Sequence, residues 1–209
     1  MKKDPVLIFD FDGTIADTFH YLVKIGNRLS EEFNFNRIDP DEIKDLRDKN
    51  VRETIQHLNI PLLKIPMIVA KAKKELHKEI NSIEPIKDLK EILLQFKSLG
   101  HKMGILTSNS SKNVTGFLEN NGLDFFDFIC TTSKIWSKNW GLKTLMDEHG
   151  LELSEVIYVG DETRDIKAAK KAGIRSAAVT WGYNSHKTLE AQNPDYLIHK
   201  PEELFTLFA

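Results

Sequence analysis

"FDFDGTIADT", residues Phe9 to Thr18, closes an apolar run with two aspartates two positions apart, follows them with a glycine and adds a third acid at Asp17. The run that leads into it, "VLIFD" (Val6 to Asp10), is β-branched and aromatic and ends in turn formers, as a buried strand does. Carboxylates crowded at the end of a buried strand repel one another. Either they belong to a solvated turn or a cation offsets them, and the rest of the chain must decide between the two.

Five further segments read as buried strands: "MGILT" (Met103 to Thr107), "FDFICTT" (Phe126 to Thr132), "VIYVG" (Val156 to Gly160), "SAAVT" (Ser176 to Thr180) and "DYLI" (Asp195 to Ile198). Between them, apolar residues recur every three or four positions and stop at glycines. Ile86, Leu89, Ile92, Leu93, Phe96 and Leu99 precede Gly100; Leu142, Leu145 and Met146 precede Gly150; Ile166, Ala169 and Ala172 precede Gly173. Strand, helix and glycine repeating in that order predict an α/β fold, a Rossmann-like parallel sheet with helices on both faces.

One interval breaks the rhythm. More than ninety residues separate Asp10 from Met103 without a convincing strand, while helical patterns are plentiful. Phe19, Leu22, Val23, Leu29 and Phe33 line one helix face, and Leu62, Ile65, Ile68, Val69, Ala72, Leu76 and Ile80 line another. The segment from Pro85 to Leu99 fits as the crossover helix into the second strand. What remains is too large for a connecting loop and reads as an inserted α-helical cap. The division is a core of residues 1–16 and 83–209 and a cap of residues 17–82, with Asp17 capping or charging the first cap helix.

Composition describes an ordinary globular chain: 41% hydrophobic and 29% charged residues, with a net charge of −2. Nothing in that balance favours a nucleic-acid or anionic-membrane partner, which needs a basic face. Cys130 is the only cysteine, which excludes an internal disulfide and suits a reducing compartment; with no membrane span or signal-like segment in the sequence, a cytoplasmic protein is the expectation.

In an open parallel sheet, ligands bind beyond the carboxyl ends of the strands. The polar residues that interrupt the apolar pattern fall there. Asp10 and Asp12 close the first strand, Thr107, Ser108 and Asn109 the second; Lys138 lies several residues past the third, and Asp161 and Asp165 follow the fourth in "VGDETRD". Oxygen-only ligation by a few carboxylates suits Mg²⁺, whereas zinc would call for histidine or cysteine. A cation beside a carboxylate, a lysine and hydroxyls is the equipment of phosphoryl transfer.

"DFDGTIADT" with a downstream "LTSN", a lysine and "GDETRD", all in order, resembles the haloacid dehalogenase superfamily of aspartate-nucleophile phosphatases. The resemblance covers nearly the whole chain, the cap insertion included. With "VTWGYNS" after the fifth strand, it is strongest to the phosphoglycolate phosphatase branch. It implies that Asp10 attacks phosphorus and that Asp12 protonates the leaving alcohol and then deprotonates the hydrolytic water. Gly13 would permit the turn that brings Asp12 over the site, Thr107 with Ser108 or Asn109 would bind the phosphoryl group, and Lys138 would neutralise charge. Mg²⁺ would lie on Asp10, the Asp12 carbonyl, Asp161 and Asp165. The lysine could also be Lys134 or Lys143, since the family's Lys-Pro pair is absent; Lys138 is preferred because it stands just before the helix starting near Trp140. Arg47, in the cap, is a candidate for the substrate's carboxylate. The implied protein is a monomer or homodimer that hydrolyses a small phosphate ester, phosphoglycolate for choice; the alternatives are a phosphomutase and a non-enzymatic phospho-acceptor or binding domain.

Overall fold

The strand β1 (Val6–Phe9) occupies the centre of a six-stranded parallel sheet. Its neighbours are β2 (Met103–Thr107) and β4 (Val156–Gly160), with β3 (Phe128–Thr131) outside β2, and β5 (Arg175–Val179) then β6 (Tyr196–Ile198) outside β4. The computed structural model describes residues 4–132 and 138–209. Strand order reverses direction at β1, so the carboxyl ends of β1, β2 and β4 form the topological switch point at which open sheets bind ligands.

Alternation along the central strands divides the core into two layers. Leu7 and Phe9 face one way, toward Leu93 and Phe96 of α5 (Leu89–Ser98) and Val114 and Phe117 of α6 (Ser111–Asn121). Ile8, Leu106 and Tyr158 face the other, toward Leu142 and Leu145 of α7 (Lys138–His149) and Ala169 and Ala172 of α8 (Thr163–Ala172). Small residues on α8 let it lie close to the sheet; larger ones on α5 fill a deeper layer. Both faces are thus covered, as the apolar runs predict.

Four helices fill the interval after β1: α1 (Phe19–Phe33), α2 (Ile43–Arg47), α3 (Val51–His57) and α4 (Ile65–Glu79). The two long ones pair through Ile25, Leu29 and Phe33 of α1 and Leu76 of α4, which lie in the same buried cluster. The insertion leaves and returns at one place. Asp17 N–H donates to the Glu84 carbonyl at 3.0 Å, and Ile86 N–H to the Ile15 carbonyl at 2.8 Å.

That junction corrects two expectations. Residues 85–88 do not join the crossover helix, because Ile86 N–H is committed to Ile15 and Pro85 pairs with Ala16; α5 therefore begins only at Leu89. Asp17 does not cap α1. Its backbone is tied to Glu84, its side chain is exposed, and the capping position falls to Thr18, which makes no side-chain cap. The strand ends also trim by a residue or two. Asp127, for instance, stands outside β3 and spends Oδ2 on the Met103 N–H, 2.8 Å away. Among the described residues, no helix is long and apolar enough to cross a membrane.

Gly104 in β2 carries a packing constraint. A Cβ there would fall within the Phe128 ring, which is itself stacked on His149 with centroids 4.4 Å apart and so has little room to retreat. Gly104→Ala is expected to cost about 1–3 kcal/mol of stability through overpacking. Urea unfolding checks this, and a variant as stable as the parent would contradict the packing described.

Candidate active site

Asp10 is the first residue past β1. Its N–H still donates to the Val159 carbonyl at 2.8 Å, so the backbone stays in register with β4 and the side chain is aimed into the switch point. Asp161 takes the equivalent place after β4, and Asp165 lies in the first turn of α8, with Oδ2 accepting the Glu162 N–H at 3.0 Å. All three are buried, and a carboxylate oxygen from each lies within 4.8 Å of the others.

Lys138, at the start of α7, enters this cluster. Its side chain is 2% exposed, and Nζ donates to Asp10 Oδ2 and to Asp165 Oδ1, each at 2.5 Å. Burial presses the Lys138 pKa down, but Asp10 and Asp165 together outweigh it and hold the ammonium above the ordinary lysine range. Lys143 is exposed on the same helix and takes no part; Lys134 lies outside the described residues.

Asp161 belongs to a different set of donors. Thr14 Oγ1 donates to Oδ1 and Tyr183 N–H to Oδ2, both at 2.6 Å. The chain must come very close to deliver them. Gly13 has φ +76°, and a Cβ on it would collide with Asp161 and Tyr183; a Cβ on Gly182 would collide with Asp161 as well. Glycine is required at both for steric reasons, and at Gly13 for conformational ones too.

Asp12 turns away from the three acids. Both its oxygens accept from Asn109 Nδ2, at 3.0 Å, and its side chain borders an open cavity. The turn that places it closes on itself, with Gly13 N–H donating to the Ala16 carbonyl and Ile15 and Ala16 N–H to that of Phe11. Thr107, fully buried at the end of β2, accepts the Asn109 N–H at 3.0 Å through Oγ1, and Ser108 borders the cavity. The structure thus brings Asp10, Asp12, Thr107, Ser108, Asn109, Lys138, Asp161 and Asp165 to one place.

Negative charge exceeds positive there. Burial and the Asp10 charge push the Asp12 carboxyl up to about 7, against the Asn109 hydrogen bond. Burial raises Asp165 to about 6 despite Lys138, and burial with the charges of Glu162 and Asp10 lifts Asp161 well above the carboxylate range. The nearby Arg164 guanidinium is already paired, its Nε and Nη2 both donating to Glu162 Oε1. A hard divalent cation fits what is missing: the donors are all oxygens, they are buried and convergent, and Lys138 offsets only part of their charge.

Over Asp12 the cavity, of about 410 Å³, is bounded by the core on one side and α1, α2, α3 and α4 on the other. Arg47 reaches across this boundary, but not as a free substrate ligand. Nη2 donates to the Gly182 carbonyl at 2.6 Å, Nε to that of Tyr183 at 3.3 Å, and the guanidinium sits 5.7 Å from the centre of the Phe19 ring. It ties the insertion to the loop after β5. Asn113, which is buried and donates to Asn109 Oδ1 at 3.0 Å, and Lys73, which borders the cavity, have no signal in the sequence taken alone. Thr14 and Tyr183 stood inside motifs already marked, yet nothing in their spacing showed that they would clasp Asp161.

This sheet, with Asp10 at the end of its central strand and helices inserted after it, has known counterparts. The chain belongs to the haloacid dehalogenase-like hydrolase family, whose model matches residues 7–179. It is similar to a phosphoglycolate phosphatase of Synechococcus elongatus, 32% identical over 95% of this chain and 94% of that one, and to the pyrophosphatase PpaX of Bacillus velezensis, 25% identical over 97% and 95%. A haloacid dehalogenase-like hydrolase from Streptococcus pneumoniae superposes over the full length of both chains with a TM-score of 0.83 at 22% identity, a likeness of fold alone.

The raised carboxyls give a signed expectation. A folded state that holds acid protons the unfolded chain releases loses stability as pH rises from about 4 through about 7, when no cation is bound. A cation relieves this only where the acids are ionised, so Mg²⁺ should raise Tm more at about pH 7.5 than at about pH 5.5. Thermal melts with EDTA or with Mg²⁺ at the two values measure it; an equal gain at both would count against a cation on these acids.

Proposed function

We propose that the protein is a Mg²⁺-dependent phosphatase that hydrolyses a small phosphate monoester through a phosphoryl group carried on Asp10. The observation that carries the reading is the division of labour between two neighbouring aspartates. Asp10 is held among Lys138 and the convergent acids, while Asp12 stands apart on Asn109, facing the cavity where a leaving group would sit.

Asp10 attacks phosphorus, the bond to the ester oxygen breaks, and Asp12 delivers its proton to that oxygen. An Asp12 carboxyl raised to about 7 carries a proton to give in a substantial fraction of molecules near neutrality. Water then attacks the phosphorus of the aspartyl phosphate, Asp12 takes the proton, and phosphate leaves with Asp10 regenerated. Thr107 and Ser108, with the backbone of the turn after β2, bind the phosphoryl oxygens, and Lys138 offsets their charge. Asp10, Asp161 and Asp165, with the Asp12 carbonyl, would hold Mg²⁺. When bound, the ion supplies the positive charge that several carboxylates and a phosphate require together.

Residues 17–82 act in this reading as a cap that excludes water and selects the leaving group, tied to the core by Arg47. The named relatives supply reference substrates, phosphoglycolate and pyrophosphate, each with a second anionic group beyond the scissile bond. The phosphoglycolate relative is the more similar of these two, which makes phosphoglycolate the first substrate to try.

Para-nitrophenyl phosphate with Mg²⁺ tests the core of the reading. Asp10→Asn should lower kcat by at least about 10³-fold with its fold intact by circular dichroism. Acid-quenched wild type should carry one phosphate, mapped to Asp10 by mass spectrometry, and release free phosphate rather than an isomer. A fully active Asp10→Asn variant would rule the mechanism out.

A further inference from the structure

We infer that Lys73, on the inserted helix α4, recognises a second anionic group, carboxylate or phosphate, on the leaving-group side of the substrate. The inference rests on the phosphatase reading and assigns that site its substrate class.

Four cations border the cavity over Asp12: Arg47, Lys49, Lys73 and Arg164. Three are engaged. Arg47 donates to the carbonyls of Gly182 and Tyr183, Lys49 to that of Asp45, and Arg164 to Glu162. Among the described residues the Lys73 ammonium has no hydrogen bond or ion pair.

Lys73 is nevertheless held in place. Its carbonyl accepts from Asn113 Nδ2 at 3.0 Å, and the same amide nitrogen donates to Asn109 Oδ1, also at 3.0 Å. With both amide hydrogens committed, Asn113 Oδ1 is an acceptor, so the 3.0 Å contact to His77 Nδ1 is a donation from the ring. Asn109 in turn donates to Asp12. One buried asparagine therefore grips α4 at Lys73 and His77 and, through Asn109, fixes the register of that helix against the proposed proton donor.

The surroundings select for an anion. Leu22, Ile68, Val69 and Ala72 border the same cavity, so an ammonium there gives up part of its hydration to an aliphatic wall. Burial draws the Lys73 pKa below the ordinary lysine range, with Asp12 opposing and Arg164 adding to the fall. A negative group would relieve both the desolvation and the repulsion from Arg164. Asp12 meets the ester oxygen, so the space beyond it is where the rest of the leaving group lies, and Lys73 borders that space. A leaving group ending in a carboxylate or phosphate fits; a neutral one leaves the ammonium without a partner.

Steady-state kinetics of wild type, Lys73→Met and Lys73→Arg on phosphoglycolate, pyrophosphate and para-nitrophenyl phosphate test this. Lys73→Met should lose about 10- to 100-fold more kcat/KM on the anionic substrates than on para-nitrophenyl phosphate, the range of a charge-assisted hydrogen bond. Most of the loss should appear in KM, and Lys73→Arg should recover much of it. Phosphoglycolate affected alone would identify the group as a carboxylate, and pyrophosphate alone as a phosphate. Equal losses on all three substrates, no loss on any, or a wild type that turns over para-nitrophenyl phosphate but neither anionic substrate would overturn the inference. Wild type inactive on all three would instead overturn the phosphatase reading and this inference with it.

Discussion

The Lys138 ammonium, shut away from solvent between Asp10 and Asp165, is the contact on which the site depends. Removing one partner of such a buried pair is costly, about 3–5 kcal/mol in general, because the other is left charged and dry. Here the pair also joins the end of β1 to the starts of α7 and α8. One lysine does not balance the acids: the raised Asp12, Asp161 and Asp165 carboxyls register the remainder. The imbalance suits the cluster to a cation, and in the proposed function a phosphate ester would bring further negative charge to the same place.

Strand order turns residues far apart in the chain into neighbours. Because β1 lies between β2 and β4, Asp10, Thr107 and Asp161 share one edge of the sheet. Closeness then imposes its own rules. Thr14 and the Tyr183 N–H reach Asp161 only because Gly13 and Gly182 carry no Cβ to obstruct them. The helical insertion is fastened to this edge from two sides, by Arg47 on the Gly182–Tyr183 backbone and by Asn113 on α4. Its lining residues therefore stand at set positions over Asp12.

Much of this was legible in the residues. Six apolar, β-branched runs bounded by turn formers are the six strands, and helical periodicity ending at glycines marks the crossover helices, because burial imposes its period on the chain locally. Asp10, Asp12, Thr107, Asp161 and Asp165 stood out as polar residues at the ends of apolar runs, which is where the sheet brings them together. α5 starts later than periodicity predicts, because Ile86 fits a helical period while its N–H belongs to Ile15. Asp17 departs in a similar way: an acid at a helix entrance suggests a cap, but a long-range hydrogen bond to Glu84 holds its backbone outside the helix.

The sequence by itself determined the α/β class, the helical insertion and the carboxylates that converge at the strand ends, since each leaves a local pattern of apolar period or interrupted period. Only the tertiary structure decided which cation serves which anion. Lys138 and Lys143 share a helix, yet only the first points into the acids; Arg47 and Lys73 both border the cavity, yet only the first is bound by backbone carbonyls. A long cationic side chain has no periodic signature for its partner. The partner is set by which carbonyls and carboxylates the packed elements bring within reach, and that is a property of the assembled fold.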